Sequence, residues 1–359
     1  MKAIIPIGGR GTRMRPITLS ANKHFIPVAN KLLIEYPIKT VIAAGVTEIG
    51  ITYNPGQLEH AQRILGDGSQ WGAKFTFILQ ENPKGLANIV EVAEKFVDGD
   101  SFVFHLGDNI FVEGIKEAMD YFEKKKPNGL VTMMHHPQNR RMGVPYFDKK
   151  GQMIKYVEKP ENPPHDFAVP GVYFADSNFF KCFRGKDRLK PSARGEFEIP
   201  DAFQWMIDHG FRVDVVEYKG KWLDPGKFDD WLDTNQYLLD RNAVVNFESK
   251  PDEKSKIEGR VSIGKNTIIE NSIIRGPVAI GNNVVIKNSY IGPYTSIYHD
   301  CSIENTDVEN SVLMNKVKLQ NIMRPIHNSI IGTEAEISGS EPHTHFMSLF
   351  VSELSHITL

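Results

Sequence analysis

Aliphatic residues recur every 17 positions through the last third of this chain, and few folds accept that period. Ile263, Ile280 and Ile297 form one row, Ile269, Ile286 and Ile303 a second, and Ile274, Ile291 and Val308 a third. Asn271, Asn288 and Asn305 keep the same step, as do Gly264 and Gly281. Within each period the aliphatics fall at steps of 6, 5 and 6. Three short sides per turn, each giving one inward aliphatic residue, describe a β-solenoid with triangular coils. A single coil buries too little to stand alone, so stacking must supply the core. The register weakens near residues 315–324 and partly returns at 328–332, and the stretch from Glu341 reads as a cap or tail. The polar segment from Ser249 to Lys256 carries Pro251 and reads as a linker, dividing the chain into 1–248 and 249–359.

The first ~220 residues follow a different rhythm, with short apolar runs at 2–7, 48–53, 74–79 and 101–106 separated by helical spacing up to Leu65 and again over 86–96. Strand alternating with helix predicts an α/β, Rossmann-like, mostly parallel sheet with helices on both faces. Ligands in such sheets bind at the carboxyl ends of the strands, where both glycine-rich turns of this segment lie. Lys and Arg total 42 against 44 Asp and Glu, which excludes a broad nucleic-acid surface; an anionic ligand must be met by a few placed cations. No run reaches 18 apolar residues, and the apolar start is too short for a signal peptide, so no membrane span and a cytoplasmic location are expected. Cys182 and Cys301 read as two buried free thiols, a disulfide being the other reading.

Chemistry-bearing residues gather at the strand ends. In Gly8-Gly9-Arg10-Gly11-Thr12-Arg13 the glycines let backbone N–H groups approach an anion, and Arg13 adds a forked cation suited to phosphate, with Lys23 ten residues beyond. A bare Gly-x-Gly is as often only a tight turn; the added Thr-Arg-x-x-Pro and Lys23 favour phosphate. Asp108 follows Leu106-Gly107, and Asp224 precedes Pro225-Gly226. Each alone is an ordinary turn or cap aspartate. Two such carboxylates beside a phosphate-type loop point to Mg²⁺, which phosphoryl transfer uses to neutralise developing charge. Glu158-Lys159 pairs a hydroxyl acceptor with a phosphate-binding ammonium, although the pair alone reads as exposed charge. Arg194-Gly195-Glu196, before Glu198 and Asp201, reads as a basic loop leading into an acidic helix start. Lys124–Lys126 reads as a solvated helix end, and His135-His136 and His343-x-His345 lack further ligands at zinc spacing.

Together these segments resemble the sugar nucleotidyltransferase family, most closely its long glucose-1-phosphate thymidylyltransferase branch, over nearly the whole chain. The carriers are Gly8–Pro16, Lys23–Lys31, Gln80-x4-Gly85-Leu86-Ala87, Leu106–Asn109, Met142-Gly143-Val144, Val157–Pro160, Pro191–Glu196 and Trp222–Asp224. The resemblance implies that the 17-residue coils form a left-handed parallel β-helix. It implies that Gly8, Gly9, Gly11, Thr12 and Arg13 hold the nucleoside triphosphate, with Lys23 helping to neutralise it, and that Gln80 and Gly85 meet a pyrimidine. It implies Asp108 and Asp224 as Mg²⁺ ligands. Gly143, Glu158, Lys159 and Arg194 would hold a hexose 1-phosphate for attack on the α-phosphorus. The expected substrates are dTTP and glucose 1-phosphate, in a homo-oligomer that binds neither nucleic acid nor membrane. Pro6, Ile7, His24 and Pro225 depart from the branch's usual residues and bear on base and sugar preference. UTP or another sugar 1-phosphate is the alternative within catalysis, an acetyltransferase using His299 a weaker one, and a non-catalytic nucleotide-sugar-binding regulator the alternative outside it. Arg13, Lys23, Asp108, Lys159 and Asp224 are all present, which speaks against the regulator.

Overall fold

A computed structural model describes residues 1–9 and 11–339; Arg10, the expected cap from Glu341, and His343 and His345 lie outside the described residues. Two compact units are present: residues 1–9 with 34–223, and residues 10–33 with 224 onward. This division falls elsewhere than the polar segment at 249, because residues 10–33 and the helix before that segment pack with the coils.

In the first unit the strands are β1 (Lys2–Pro6), β2 (Glu48–Tyr53), β3 (Lys74–Leu79), β4 (Phe102–His105), β5 (Ile110–Phe111), β6 (Gly129–His135), β7 (Gly143–Phe147), β8 (Met153–Glu158), β9 (Phe167–Ala168), β10 (Val172–Ala175), β11 (Val213–Glu217) and β12 (Trp222–Leu223). The main sheet runs β9-β6-β10-β4-β1-β2-β3, with β11 also paired to β6. The run β4-β1-β2-β3 is parallel, as the near-continuous apolar sequence of these strands predicts. The short β10 inserts antiparallel between β4 and β6, so the sheet is mixed while remaining mostly parallel. Ala3, Ile4, Ile5, Val103 and Phe104 have no solvent exposure. Helices α1 (Leu86–Val92) and α2 (Ile199–Asp208) pack on the core that contains Phe102, Phe179 and Phe203.

In the second unit the coil strands pair in three parallel sheets, one for each side, as in a left-handed β-helix. The first sheet stacks Ile263, Ile280, Ile297, Leu313 and Ile331 in register. The second stacks Ile269, Ile286, Ile303, Leu319 and Ile337. The weak register near 315–324 has a simple cause: the fourth coil is one residue short and the fifth one residue long, so the step runs 16 and then 18 in both sheets. The recurrent asparagines sit at corners with left-handed backbone (Asn271 φ 45°, Asn288 φ 47°, Asn305 φ 48°), a conformation asparagine tolerates well. Their side chains form an amide ladder, Asn271 Nδ2 to Asn288 Oδ1 at 2.8 Å and Asn288 Nδ2 to Asn305 Oδ1 at 3.1 Å. His299 is another inter-coil residue: its Nδ1 accepts from Asn282 N–H at 2.9 Å. Cys182 and Cys301 are buried free thiols. Among the described residues no helix is long and apolar enough to cross a membrane.

Candidate active site

The first unit holds a cavity of about 490 Å³ whose lining includes Tyr156, Glu158, Lys159, Ser192, Arg194, Glu198 and Asp201. Glu158 ends β8, opposite Gly143 at the start of β7. A side chain at Gly143 would put its Cβ 2.6 Å from the Tyr156 hydroxyl, so only glycine lets the two strands close here. Lys159 is held in a left-handed conformation (φ 47°), unusual for a long side chain, while its N–H bonds Met142 O at 3.0 Å. That turn places Lys159 Nζ 3.1 Å from Glu158 Oε1, and Arg194 Nη2 approaches the same oxygen at 3.6 Å.

Arg194 is aimed from behind by Glu198. The guanidinium Nη2 donates to Glu198 Oε1 at 2.8 Å, and Ser192 Oγ donates to the same oxygen at 2.8 Å. Glu198 was legible only as part of an acidic helix start. It occupies the residue before α2, but its side chain makes no cap bond and turns instead toward the basic loop. Burial works against the Arg194 charge, yet the hydrogen bond and charges of Glu198 and its acidic neighbours outweigh it and raise its pKa. Asp201 nearby is raised by burial first and by the Glu198 and Glu158 charges second. Sequence spacing gave no sign of Glu198's role; the only available signal was a carboxylate four residues after an arginine at a helix start.

Gln80 follows β3 and is 4% exposed. Its backbone N–H bonds Tyr53 O at 2.8 Å, extending the β2–β3 pairing by one residue. Gly85 precedes α1 with φ 101°, and a Cβ there would meet Phe197 O at 2.6 Å. Asp108 follows β4 and accepts from Asn109 Nδ2 at 3.2 Å, and Asn109 Oδ1 accepts from Trp222 Nε1 at 3.3 Å. His105, the last residue of β4, is fully buried and its pKa is lowered to about 4, chiefly by burial. It is therefore neutral near pH 7 and adds no cation near Asp108. Strands β5 and β12 pair with Leu223 opposite Ile110, and Asp224 is the next residue of the chain. Gly8 lies against the Asn54 side-chain amide, whose oxygen would be 2.9 Å from a Cβ at position 8.

The second unit collects Arg13, Lys23 and Asp224. Gly11 takes a left-handed turn (φ 54°), its carbonyl accepts from Thr18 Oγ1 at 2.7 Å, and the single turn Thr12–Met14 follows, with Thr12 and Arg13 exposed. The Arg13 guanidinium lies over Gly226, about 3.1 Å from where a Cβ would stand. Lys23 is 9% exposed, with Nζ 3.7 Å from Asp224 Oδ1. This segment is fastened by a helix that no motif singled out, α3 (Phe228–Asn242). Trp231 Nε1 donates to Pro27 O at 3.0 Å, and Asn235 Oδ1 accepts from Ala29 N–H at 2.8 Å. The same Asn235 accepts from Ser296 Oγ and donates to Tyr294 O, tying the residues after Lys23 to the third coil. A fully buried asparagine costs stability unless its amide is satisfied, and here both ends are.

The chain is similar to known proteins over most of its length. The nucleotidyl transferase family profile matches residues 2–241. A low-salt glycan biosynthesis nucleotidyltransferase, Agl11, from Haloferax volcanii is 37% identical, covering 95% of each chain. A glucose-1-phosphate thymidylyltransferase from Streptomyces griseus is 34% identical, covering 99% of this chain and 98% of its own. A Bacillus anthracis structure assigned as a glucose-1-phosphate thymidylyltransferase, in complex with sucrose, superposes with a TM-score of 0.60 at 33% identity, covering 66% of this chain and 94% of its own. With the mixed sheet, the coils and these full-length relatives in agreement, the chain belongs to the nucleotidyl transferase family and is a sugar-1-phosphate nucleotidyltransferase.

Proposed function

We propose that this enzyme transfers a thymidylyl group from dTTP to glucose 1-phosphate, giving dTDP-glucose and pyrophosphate, with Mg²⁺ as its metal. The observation that carries the reading is the cluster of Glu158, Lys159 and Arg194 in one cavity. Both cations face the Glu158 carboxylate, while Arg194 is also held by Glu198. A sugar phosphate entering the cavity offers them a dianion instead, and Glu158 is then left to accept hydroxyl donors from the hexose. The name of the Streptomyces griseus relative supports thymidylyl and glucose as the partners.

The reaction needs no covalent enzyme intermediate and no general base, because the attacking phosphate oxygen is already an anion. A new bond forms between that oxygen and the α-phosphorus, the bond from the α-phosphorus to the bridging oxygen breaks, and pyrophosphate leaves. The protein contributes position and charge neutralisation. Lys159 and Arg194 hold the nucleophile, the glycine turn with Arg13 and Lys23 meets the triphosphate, and Gln80 with Gly85 meets the base. Asp108 and Asp224 offer hard carboxylate oxygens of the kind Mg²⁺ prefers. Among the described residues no group of three or more His, Cys, Asp or Glu forms a cage. These two carboxylates would hold the ion, which would supply neutralisation of charge on the triphosphate.

The test is pyrophosphate release by the purified protein in Mg²⁺, with dTTP, UTP, CTP, ATP and GTP each offered against a panel of sugar 1-phosphates. Fastest release is expected with dTTP and glucose 1-phosphate. A preference for UTP, or for N-acetylglucosamine 1-phosphate, would reassign the base or the sugar. No release with any pair, from folded protein, would overturn the reading.

A further inference from the structure

A chain of side-chain hydrogen bonds runs from Gln80 to helix α1. Gln80 Nε2 donates to Asn88 Oδ1 at 2.9 Å, and Asn88 Nδ2 donates to Glu91 Oε2 at 2.8 Å. Gln80 and Asn88 are 4% and 8% exposed, and Asn88 and Glu91 are one turn apart on α1. Glu91 is half-buried, and its charge adds to burial in raising the Cys182 thiol pKa.

The direction of this chain is fixed at its carboxylate end. An ionised carboxylate only accepts hydrogen bonds, so Glu91 obliges Asn88 to turn its NH₂ toward it. Asn88 then presents its oxygen to Gln80, which must spend an N–H on it. What remains for a ligand is Gln80 Oε1, an acceptor, beside the second N–H, a donor. Among the described residues Gln80 Oε1 accepts no hydrogen bond. Uracil and thymine offer the complement on one edge, an N3–H donor beside a carbonyl acceptor. Cytosine offers the reverse, an N3 acceptor beside an N4 donor. To read cytosine, Gln80 would have to flip, Asn88 would have to flip with it, and Asn88 Oδ1 would face a carboxylate that has nothing to donate.

We infer that Asn88 and Glu91 are positioning residues that lock the Gln80 amide in the orientation matching thymine or uracil and thereby exclude cytosine. This rests on the proposal that Gln80 meets the base. The lock works because a buried polar group left mispaired is costly, and sites built on fixed hydrogen bonds discriminate more strongly than apolar pockets.

The test compares kcat/KM for dUTP and dCTP, which share deoxyribose and triphosphate and lack the 5-methyl group. The wild type is expected to prefer dUTP. Glu91→Gln keeps the shape but replaces the obligate acceptor with an amide that also donates, so the dUTP:dCTP ratio should fall about tenfold. Glu91→Gln combined with Asn88→Asp restores an obligate acceptor, now at position 88, with the same net charge, and should restore the ratio. Thermal melting of each variant checks that the fold is intact. A ratio unchanged in Glu91→Gln, or a loss that Asn88→Asp does not repair, overturns the lock while leaving base reading by Gln80 standing. A wild type indifferent between dUTP and dCTP overturns both.

Discussion

In the coils, inward aliphatic residues repeat one turn apart: Ile269, Ile286 and Ile303 stack in register, each 2% exposed or less. In the cavity around Glu158 the residues do not repeat. Glu158 comes from a strand end, Arg194 from a loop and Glu198 from the start of a helix, and they meet through a shared set of oxygens. The coils are held by non-directional burial that any aliphatic side chain of suitable volume supplies. The cavity is held by directed bonds from the half-exposed Lys159 and Arg194 to Glu158 and to the buried Glu198, and the exposure of the two cations limits what these pairs add to stability. Damage to the coils should therefore appear in melting and spare the chemistry, and damage to the site should do the opposite.

The largest separation is expected at the two carboxylates proposed to hold Mg²⁺. Asp108→Asn or Asp224→Asn should lower turnover in Mg²⁺ by about 10³-fold or more, while the melting temperature stays close to that of the wild type. Near-normal rates in either variant would remove that residue from the metal assignment. The opposite signature belongs to Ile303→Ala, which empties a fully buried site between two coils. It should cost about 2–5 kcal/mol in denaturant unfolding, with kcat and KM unchanged at a temperature where the variant is folded. A large loss of rate without loss of stability would mean that the coils take part in catalysis. A smaller effect is expected for Glu198→Gln, which keeps the packing but weakens the hold on Arg194 and Ser192. It should lower kcat/KM for the sugar phosphate about tenfold, consistent with the loss of a charge-assisted hydrogen bond worth about 1.5–3 kcal/mol at most. An unchanged value would leave Glu198 a structural partner only.

The same contrast explains what was legible in the sequence. Periodic burial writes itself into periodic residues, so the coils, their inward rows and their corner asparagines could be read from spacing. The weakened register near 315–324 was also legible, and a short coil followed by a long one is its cause. The glycine turn was legible because left-handed backbone at Gly11 and close approach at Gly8, Gly85 and Gly143 demand glycine. Asn88, Glu91, Glu198 and Asn235 were not legible. Each is a polar residue whose partner lies elsewhere in space or on a helix face that reads as core, and no spacing rule records a hydrogen bond's direction. Nor did spacing show that residues 10–33 pack with the coils, since that depends on Trp231 and Asn235 reaching the backbone of Pro27 and Ala29.

The most direct test of the account is a two-substrate kinetic measurement on Arg194→Ala, varying glucose 1-phosphate and dTTP independently. The account predicts that KM for glucose 1-phosphate rises by about 10-fold or more, as expected for loss of a charged phosphate contact, while KM for dTTP stays within about 2-fold and the melting temperature does not move. A rise in KM for dTTP with none for the sugar phosphate would contradict the assignment of the cavity and place the nucleotide there instead.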